Sequence, residues 1–328
     1  MADIARLANV SKITVSRALS DSPLVRENTK NHIRTIAHEH GYRFNKTARN
    51  LRLKRAHTIA LAFDTDAHHP LSEPFPVALL SSIAEALTAR GFDLLLCAET
   101  GASQDWGAAI ASKPVDGAIV LGKDQGGEML AGIRGAQLPA IVWGAEHADG
   151  PFPTVGSDNV RGGGLAASRL WDVGRRKFLF LGDIDHPEEE QRWRGFRQTA
   201  QDKGVESLRR EAASISHRDG YEAVRQLLNG EGLCFDGLFA RNDMVAMGAV
   251  RAIEHAGLAV PRDVSGVGFD DIPMAAGFSP PLTTIAQDSR RAGEALAAGI
   301  IDLVDGKNFE SLRLPTSLVV RASCAAVS

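Results

Sequence analysis

Ser11-Lys12-Ile13-Thr14-Val15-Ser16-Arg17-Ala18-Leu19 is the stretch that decides how this chain begins to fold. Ser11 makes a good N-cap, because its hydroxyl can accept an otherwise orphaned amide of the next turn. In the helix it starts, Val15, Ala18 and Leu19 share one face and can pack inward. Ile13 and Arg17, four residues apart, project from the opposite face, with Lys12 and Ser16 on its flank. Upstream, Asp3 opens a run with Ile4, Leu7 and Ala8 at helical spacing, which Asn9-Val10 interrupts. Downstream, Glu27 to His40 reads as a third helix that buries Ile33, Ile36 and Ala37 and stops at Gly41. Two short helices joined by a tight turn and propped by a third make a helix-turn-helix.

Charge is distributed steeply around this segment. Residues 1–55 hold twelve Lys/Arg against four Asp/Glu, although the 328-residue chain sums to −3. The rest therefore carries 25 basic against 36 acidic side chains. One short end is built for a polyanion and the remainder is not. Residues 45–56 are basic and lack core periodicity, which suits a linker or a short helix that forms only on a partner.

From Thr58 onward apolar runs alternate with amphipathic stretches. Candidate strands are Thr58–Phe63, Asp93–Cys97, Val115–Leu121, Ala140–Trp143, Lys177–Leu181, Gly237–Ala240 and Ser265–Phe269. Helical patterns fall between them near 75–90, 160–172, 190–203, 218–229, 243–256 and 288–305. This alternation predicts parallel sheets in an α/β architecture. The length favours two subdomains around a cleft over one large sheet. Three cysteines (Cys97, Cys234, Cys324), widely spaced, offer no disulfide framework or zinc pattern, which suits a reducing cytoplasm. The start lacks the apolar core of a secretion signal, and no apolar run is long enough to span a membrane.

A series of blocks now resembles the lactose-repressor/galactose-repressor (LacI/GalR) family of bacterial transcription regulators. They are Asp3-Ile-Ala-Arg-Leu-Ala8, Val10 to Leu19, Gly41-Tyr-Arg, Ala48-Arg-Asn-Leu51, Ser157-Asp-Asn159 with Gly162-Gly163, and Asn242-Asp-Met-Val-Ala-Met-Gly248. Pro261-Arg-Asp-Val-Ser265, Gly266-Val-Gly-Phe-Asp-Asp271 and Pro281-Leu-Thr-Thr-Ile285 complete the set, in family order from one end to the other. The resemblance implies a helix-turn-helix DNA-binding head over 1–44, a hinge helix over 45–56, and a core like that of periplasmic sugar-binding proteins over 57–328. The two lobes of that core would comprise about 57–154 with 288–313, and about 155–287 with 314–328. It also implies binding to double-stranded operator DNA and a small-molecule effector; a cytoplasmic homodimer, a mono- or disaccharide as that effector, no cofactor and no metal are the accompanying expectations.

Residue by residue, Arg17 can hydrogen-bond guanine O6 and N7 bidentately in the major groove, and its family counterpart reads bases there. Lys12 and Ile13 match the two variable positions that set operator preference, and Ile13 can meet a thymine methyl or shield the groove. Thr14 and Ser16 suit phosphate clamps, which position without reading sequence. By resemblance Leu51 is the lever that wedges into the minor groove, with Ala48 and Arg49 on the same short helix and Lys46, Arg52, Lys54 and Arg55 against phosphates. Phe44 departs from the family's usual proline.

In the cleft, Arg192 aligns with the arginine that grips sugar hydroxyls or purine polar atoms. Asn242 can bond a ligand hydroxyl, and the adjacent Asp243 is expected to N-cap its helix. Asp270 ends an apolar strand, where open α/β sheets place ligand-binding groups, Asp271 is expected to be structural, and Gln287 matches another polar pocket position. Phe75 and Trp143 can supply apolar faces for a sugar ring, although aromatics after strands commonly belong to the core. Gly144 stands where many members have an acid, and Ile215 replaces an aromatic wall, which favours a carbohydrate over a purine or nucleoside. Gly162-Gly-Gly164 lacks the Lys-Ser/Thr of a phosphate loop and suits close helix packing. No catalytic motif stands out. A plain sugar-binding protein, which would lack the basic end, and an enzyme fused to a DNA-binding head are the other classes considered. Substituting Leu51→Ala is expected to weaken operator binding about tenfold or more while leaving effector affinity intact, because it removes the wedge; anisotropy titration at fixed salt checks this.

Overall fold

The computed structural model describes residues 1–19, 22–42, 55–64, 73–99, 109–110, 112–121, 128–145, 150–184, 186–212 and 215–326. These divide into two compact units, Met1–Ala56 and His57–Ser328.

The first unit is a three-helix head: α1 (Ala2–Leu7), α2 (Lys12–Leu19) and α3 (Glu27–Glu39). Its small core is Ile4, Ala5, Ala8, Val15, Ala18, Val25, Ile33 and Ala37, with Leu19 and Ile36 half-buried against it. Ser11 Oγ accepts the Thr14 amide at 3.0 Å, which satisfies one donor that the start of α2 would otherwise leave open. Gly41, at φ +62°, takes the left-handed turn after α3 that a side chain would resist.

The second unit contains two six-stranded sheets. Its elements run β1 (Thr58–Asp64), α4 (Pro74–Thr88), β2 (Asp93–Glu99), β3 (Gly117–Leu121), α5 (Glu128–Gly135), β4 (Ala140–Trp143), β5 (Thr154–Ser157), α6 (Asn159–Asp172), β6 (Phe178–Leu181) and α7 (Pro187–Asp202). They continue through β7 (Ser207–Arg210), α8 (His217–Glu231), β8 (Gly237–Ala240), α9 (Asp243–His255), β9 (Ser265–Asp270), α10 (Pro273–Gly277), β10 (Thr283–Ala286), α11 (Ser289–Val304), β11 (Leu312–Leu314) and β12 (Ser317–Val319). The strand orders are β11-β5-β4-β3-β1-β2 and β12-β10-β9-β8-β6-β7. β3, β6 and β8 are buried along their whole length, as parallel strands covered by helices on both faces must be.

The chain passes between the lobes after β5, after β10 and after β11. The last passage explains the antiparallel pairing of β10 with β12, the only one among the described residues, which the expectation of purely parallel sheets missed. Only Pro315 and Thr316 separate β11 from β12, and Ser317 enters beside Ala286, the last residue of β10. A strand that enters a sheet at the C-terminal end of its neighbour can only run backward. The passages are tied to each other: the Asp158 amide donates to the Leu314 carbonyl at 2.8 Å, and the Thr316 hydroxyl to the Asp158 carbonyl at 3.1 Å.

Two helix pairs in the second lobe pack through reciprocal glycines. A Cβ on Gly163 of α6 would lie 2.0 Å from the Arg192 carbonyl oxygen of α7, and one on Gly195 of α7 would lie 1.9 Å from that of Val160. Gly220 of α8 and Gly248 of α9 repeat the arrangement against Val245 and His217. The backbones therefore touch where most helices are separated by side chains. Gly163→Ala is expected to destabilise the core by about 1–3 kcal/mol through overpacking. Gly230→Ala, whose Cβ would meet nothing within 4 Å, should stabilise by up to about 1 kcal/mol through helix propensity; urea unfolding of both variants checks the contrast.

Candidate functional site

On the head, the surface of α2 exposes Lys12, Ile13 and Arg17. Ile13 is 63% exposed, so it covers no core in the isolated chain. Thr14 and Ser16 are half-buried, and the Thr14 hydroxyl lies 2.8 Å from that of Ser11, within the cap. The structure thus brings Lys12, Ile13 and Arg17 together on one exposed helix. Ala48, Arg49 and Leu51 lie outside the described residues.

In the core, Asn242, Asp270 and Gln287 lie at the C-terminal ends of β8, β9 and β10, and Arg192 of α7 reaches them. A ladder of aromatic rings leads to them. Phe196 lies 5.2 Å from Phe239, Phe239 lies 6.4 Å from Phe269, and the Arg192 guanidinium stacks over the Phe269 ring at 3.7 Å. A Cβ on Gly162 would meet Cε2 of that ring at 2.7 Å, so the glycine lets α6 seat against it. The rest of Arg192 is held by polar contacts: Nε donates to Asn159 Oδ1 at 2.9 Å and Nη1 donates to the Arg241 carbonyl. Asn159 is itself buried and donates to the Ser157 carbonyl at 3.1 Å, so its amide orients Arg192 from α6.

Arg241 and Glu189 form an ion pair beneath this group, with side chains only 8% and 4% exposed. The second Glu189 oxygen accepts the Asp183 amide at 2.8 Å. Burial pushes the Glu189 carboxyl up, and the Arg241 and Arg192 charges oppose that rise.

Asp270 sits at φ +111° and Asp271 at φ +57°, a region that side chains rarely enter. Such strain persists where the surroundings fix it, and it gathers at functional sites. Gln287 Nε2 donates to Asp270 Oδ1 at 2.6 Å. Burial pushes the Asp270 carboxyl up to about 7, against the lowering by Arg192 and the Gln287 hydrogen bond, with Glu73 adding to the rise. Near neutrality it therefore populates both protonation states and can accept or donate a hydrogen bond. Asp271 instead binds Arg321 at 2.7 Å, a structural tie to the C-terminal segment.

The N-cap of α9 falls one residue earlier than expected, on Asn242 instead of Asp243. Asn242 is the N-cap of α9: its Oδ1 accepts the Val245 amide at 2.8 Å and its Nδ2 donates to the Ile215 carbonyl at 3.0 Å. Asp243 is the first helical residue and is buried, accepting the Ile272 amide at 2.9 Å and the Thr284 hydroxyl at 2.5 Å. An N-cap needs extended backbone, and Asn242 (φ −150°, ψ 173°) has it. From the first lobe, Phe75 and Trp143 pack on each other at 5.8 Å, with Phe75 inside the core and Trp143 half-buried.

Sequence reasoning missed Glu73, Glu189 and Arg241, and gave Asn159 no role. Glu73 precedes Pro74 at the start of α4 without capping it, and it feels the charges of Arg241 and Asp219 of the other lobe. The three acids Glu188, Glu189 and Glu190 read as ordinary residues of a helix first turn, and nothing in their spacing distinguishes the buried one. Asn159 did carry a signal, since it stands in the Ser157-Asp-Asn block.

Residues 1–45 match the family model of bacterial regulatory proteins, lacI family, and residues 167–324 match the periplasmic binding protein-like domain. The HTH-type transcriptional regulator CelR of Thermobifida fusca is 30% identical over 335 residues, covering 98% of this chain and 96% of its own. The chain belongs to the lacI family of bacterial regulatory proteins. A solved CelR–cellobiose complex superposes with a TM-score of 0.75 at 28% identity, covering 98% of each chain. The lac repressor dimer bound to operator and the anti-inducer ONPF superposes with a TM-score of 0.85 at 25% identity, over 99% of this chain and 98% of its own. The repressor PurR of Pectobacterium carotovorum subsp. carotovorum (strain PC1) is 29% identical over 340 residues, 98% of this chain and 96% of its own. This lacI-family chain is accordingly a DNA-binding transcription regulator with a helix-turn-helix and a periplasmic-binding-protein-like core, and the relatives it resembles are regulators rather than enzymes. Among the described residues no helix is long and apolar enough to cross a membrane.

The shift at Asp270 carries a linkage sign. Unfolded, the carboxyl ionises above its ordinary value of 3.8; folded, it holds its proton to about 7. Between those values the folded state binds the extra proton, so rising pH removes stability. Asp270→Asn, which tolerates the same backbone, is expected to gain in urea midpoint over the native chain more at pH 8 than at pH 4.5. A gap that does not change with pH would refute the shift.

Proposed function

We propose that the protein is a dimeric repressor of carbohydrate-utilisation genes whose operator affinity is switched by a mono- or disaccharide bound between the lobes. The observation that carries this reading is the group formed by Arg192, Asp270 and Gln287. It joins a fixed cation, a carboxyl poised near neutrality and an amide at the C-terminal ends of parallel strands. Such a set suits vicinal hydroxyls, which donate and accept together. Phe75 and Trp143 would offer the apolar wall from the other lobe, and Asn242 would act through the Ile215 carbonyl it holds as much as by touching ligand. On the head, Arg17, Lys12 and Ile13 would read base edges, Thr14 and Ser16 would clamp phosphates, and Ala48, Arg49 and Leu51 would enter the minor groove. A purine or nucleoside effector is the second reading, supported by the similarity to PurR.

Effector control requires different affinity for the DNA-competent and incompetent forms. The test is a thermal-shift panel of mono- and disaccharides beside nucleobases and nucleosides, with hits added to the protein on DNA selected from a random library. A sugar at one hundred times its Kd should stabilise the core by about 2.7 kcal/mol and change affinity for a near-palindromic selected site. Stabilisation by nucleobases alone would replace the sugar reading, and selected sites without dyad symmetry would overturn the dimer.

A further inference from the structure

We propose that Glu188 is a positioning residue that couples the spacing of the two lobes to the effector grip of Arg192, an inference that rests on the cleft being the effector site. Glu188 lies in the first turn of α7, on the second lobe. Its Oε1 accepts the Ala145 amide of the first lobe at 3.1 Å, and its Oε2 lies 2.7 Å from His186 Nδ1. The two side chains are 17% and 26% exposed, so water competes poorly for the bridge. Burial alone would raise the carboxyl, but the hydrogen bond and charge of His186 hold it below its usual value, as an ionised acceptor.

Both ends of the bridge are fixed. The preceding residue, Gly144, donates its amide to the Val155 carbonyl at 3.0 Å. Its own carbonyl oxygen lies 2.0 Å from where a Cβ of Gly156 would be, so the turn carrying Ala145 is seated directly on β5. On the other side, Glu188 and Arg192 are four residues apart on α7 and share one face. Arg192 is gripped by Asn159 and by the Arg241 carbonyl. A movement of the first lobe that stretches the Ala145 contact therefore pulls on the turn that precedes Arg192. A ligand that draws on Arg192 pulls back on Ala145. Where the family resemblance places an acid at Gly144, this chain supplies the carboxylate from the facing lobe.

Hydrogen exchange of the full effector-free chain tests the bridge. In Glu188→Ala and in Glu188→Met, which keeps the bulk without an acceptor oxygen, the Ala145 amide should exchange at least about tenfold faster while β8 and α9 stay protected. Glu188→Gln, which restores an oxygen, should recover most of the protection. Operator affinity of the Met variant, measured by anisotropy on the selected site, should change by about fivefold or more. An unchanged Ala145 rate in the Met variant overturns the bridge, and lost protection with unaltered operator affinity overturns the coupling. The exchange arm uses no ligand, so its failure is distinct from a failure of the sugar reading.

Discussion

Much of the second lobe's cleft surface depends on keeping one buried charge satisfied. Arg241 has almost no solvent, and an unpaired guanidinium at such a place would be strongly destabilising. Glu189 neutralises it, and the other Glu189 oxygen takes the Asp183 amide, which fastens the start of α7 to the loop after β6. The Arg241 carbonyl then receives Arg192. One ion pair thus sets the height and tilt of the helix that carries both Arg192 and Glu188. The reciprocal glycines of α6 and α7 act in the same direction, since backbone contact leaves little room for sliding.

Around that fixed frame the site combines groups of unequal readiness. Arg192 is held by stacking and two hydrogen bonds, so binding a ligand there need not order a long flexible side chain. Asp270 is the opposite: its backbone is strained, and burial pushes its carboxyl up to about 7. In the proposed effector site they would present a rigid donor beside an adjustable acceptor, an arrangement that would tolerate several hydroxyl geometries.

The fold was legible where periodicity was strong. The head follows from Ser11 and the spacing of Val15, Ala18 and Leu19, and the apolar runs of β1, β3, β6 and β8 mark buried parallel strands. Elements that sequence reading missed are short or disguised. β7, Ser-Leu-Arg-Arg, is a half-buried edge whose charges hide its alternation, and β10 and β12 exist because neighbouring strands offer them hydrogen bonds. The site was legible in part: Arg192, Asp270 and Gln287 were named and are brought together, whereas Asn242 and Asp243 differ by one residue in capping register. Glu189 and Glu188 were invisible because a helix first turn attracts acids for reasons of its own dipole, and Arg241 because nothing local marks a lone arginine after a strand as buried. Only the fold reveals which carboxylate is dry and which reaches the other lobe.

The three passages between the lobes have a consequence for how the molecule is made. The first sheet takes its edge strand β11 from residues 312–314, and α11, residues 289–304, packs on α4 through Gly293. The second sheet waits for β12 and for Ser323, whose hydroxyl donates to the Gly266 carbonyl at 2.7 Å. A ribosome must therefore deliver almost the whole polypeptide before either lobe has its full complement of strands. During synthesis the basic head can close on its own eight-residue core, whose members all lie within residues 4–37. A nascent chain thus acquires its DNA-binding head well before its two-lobed core.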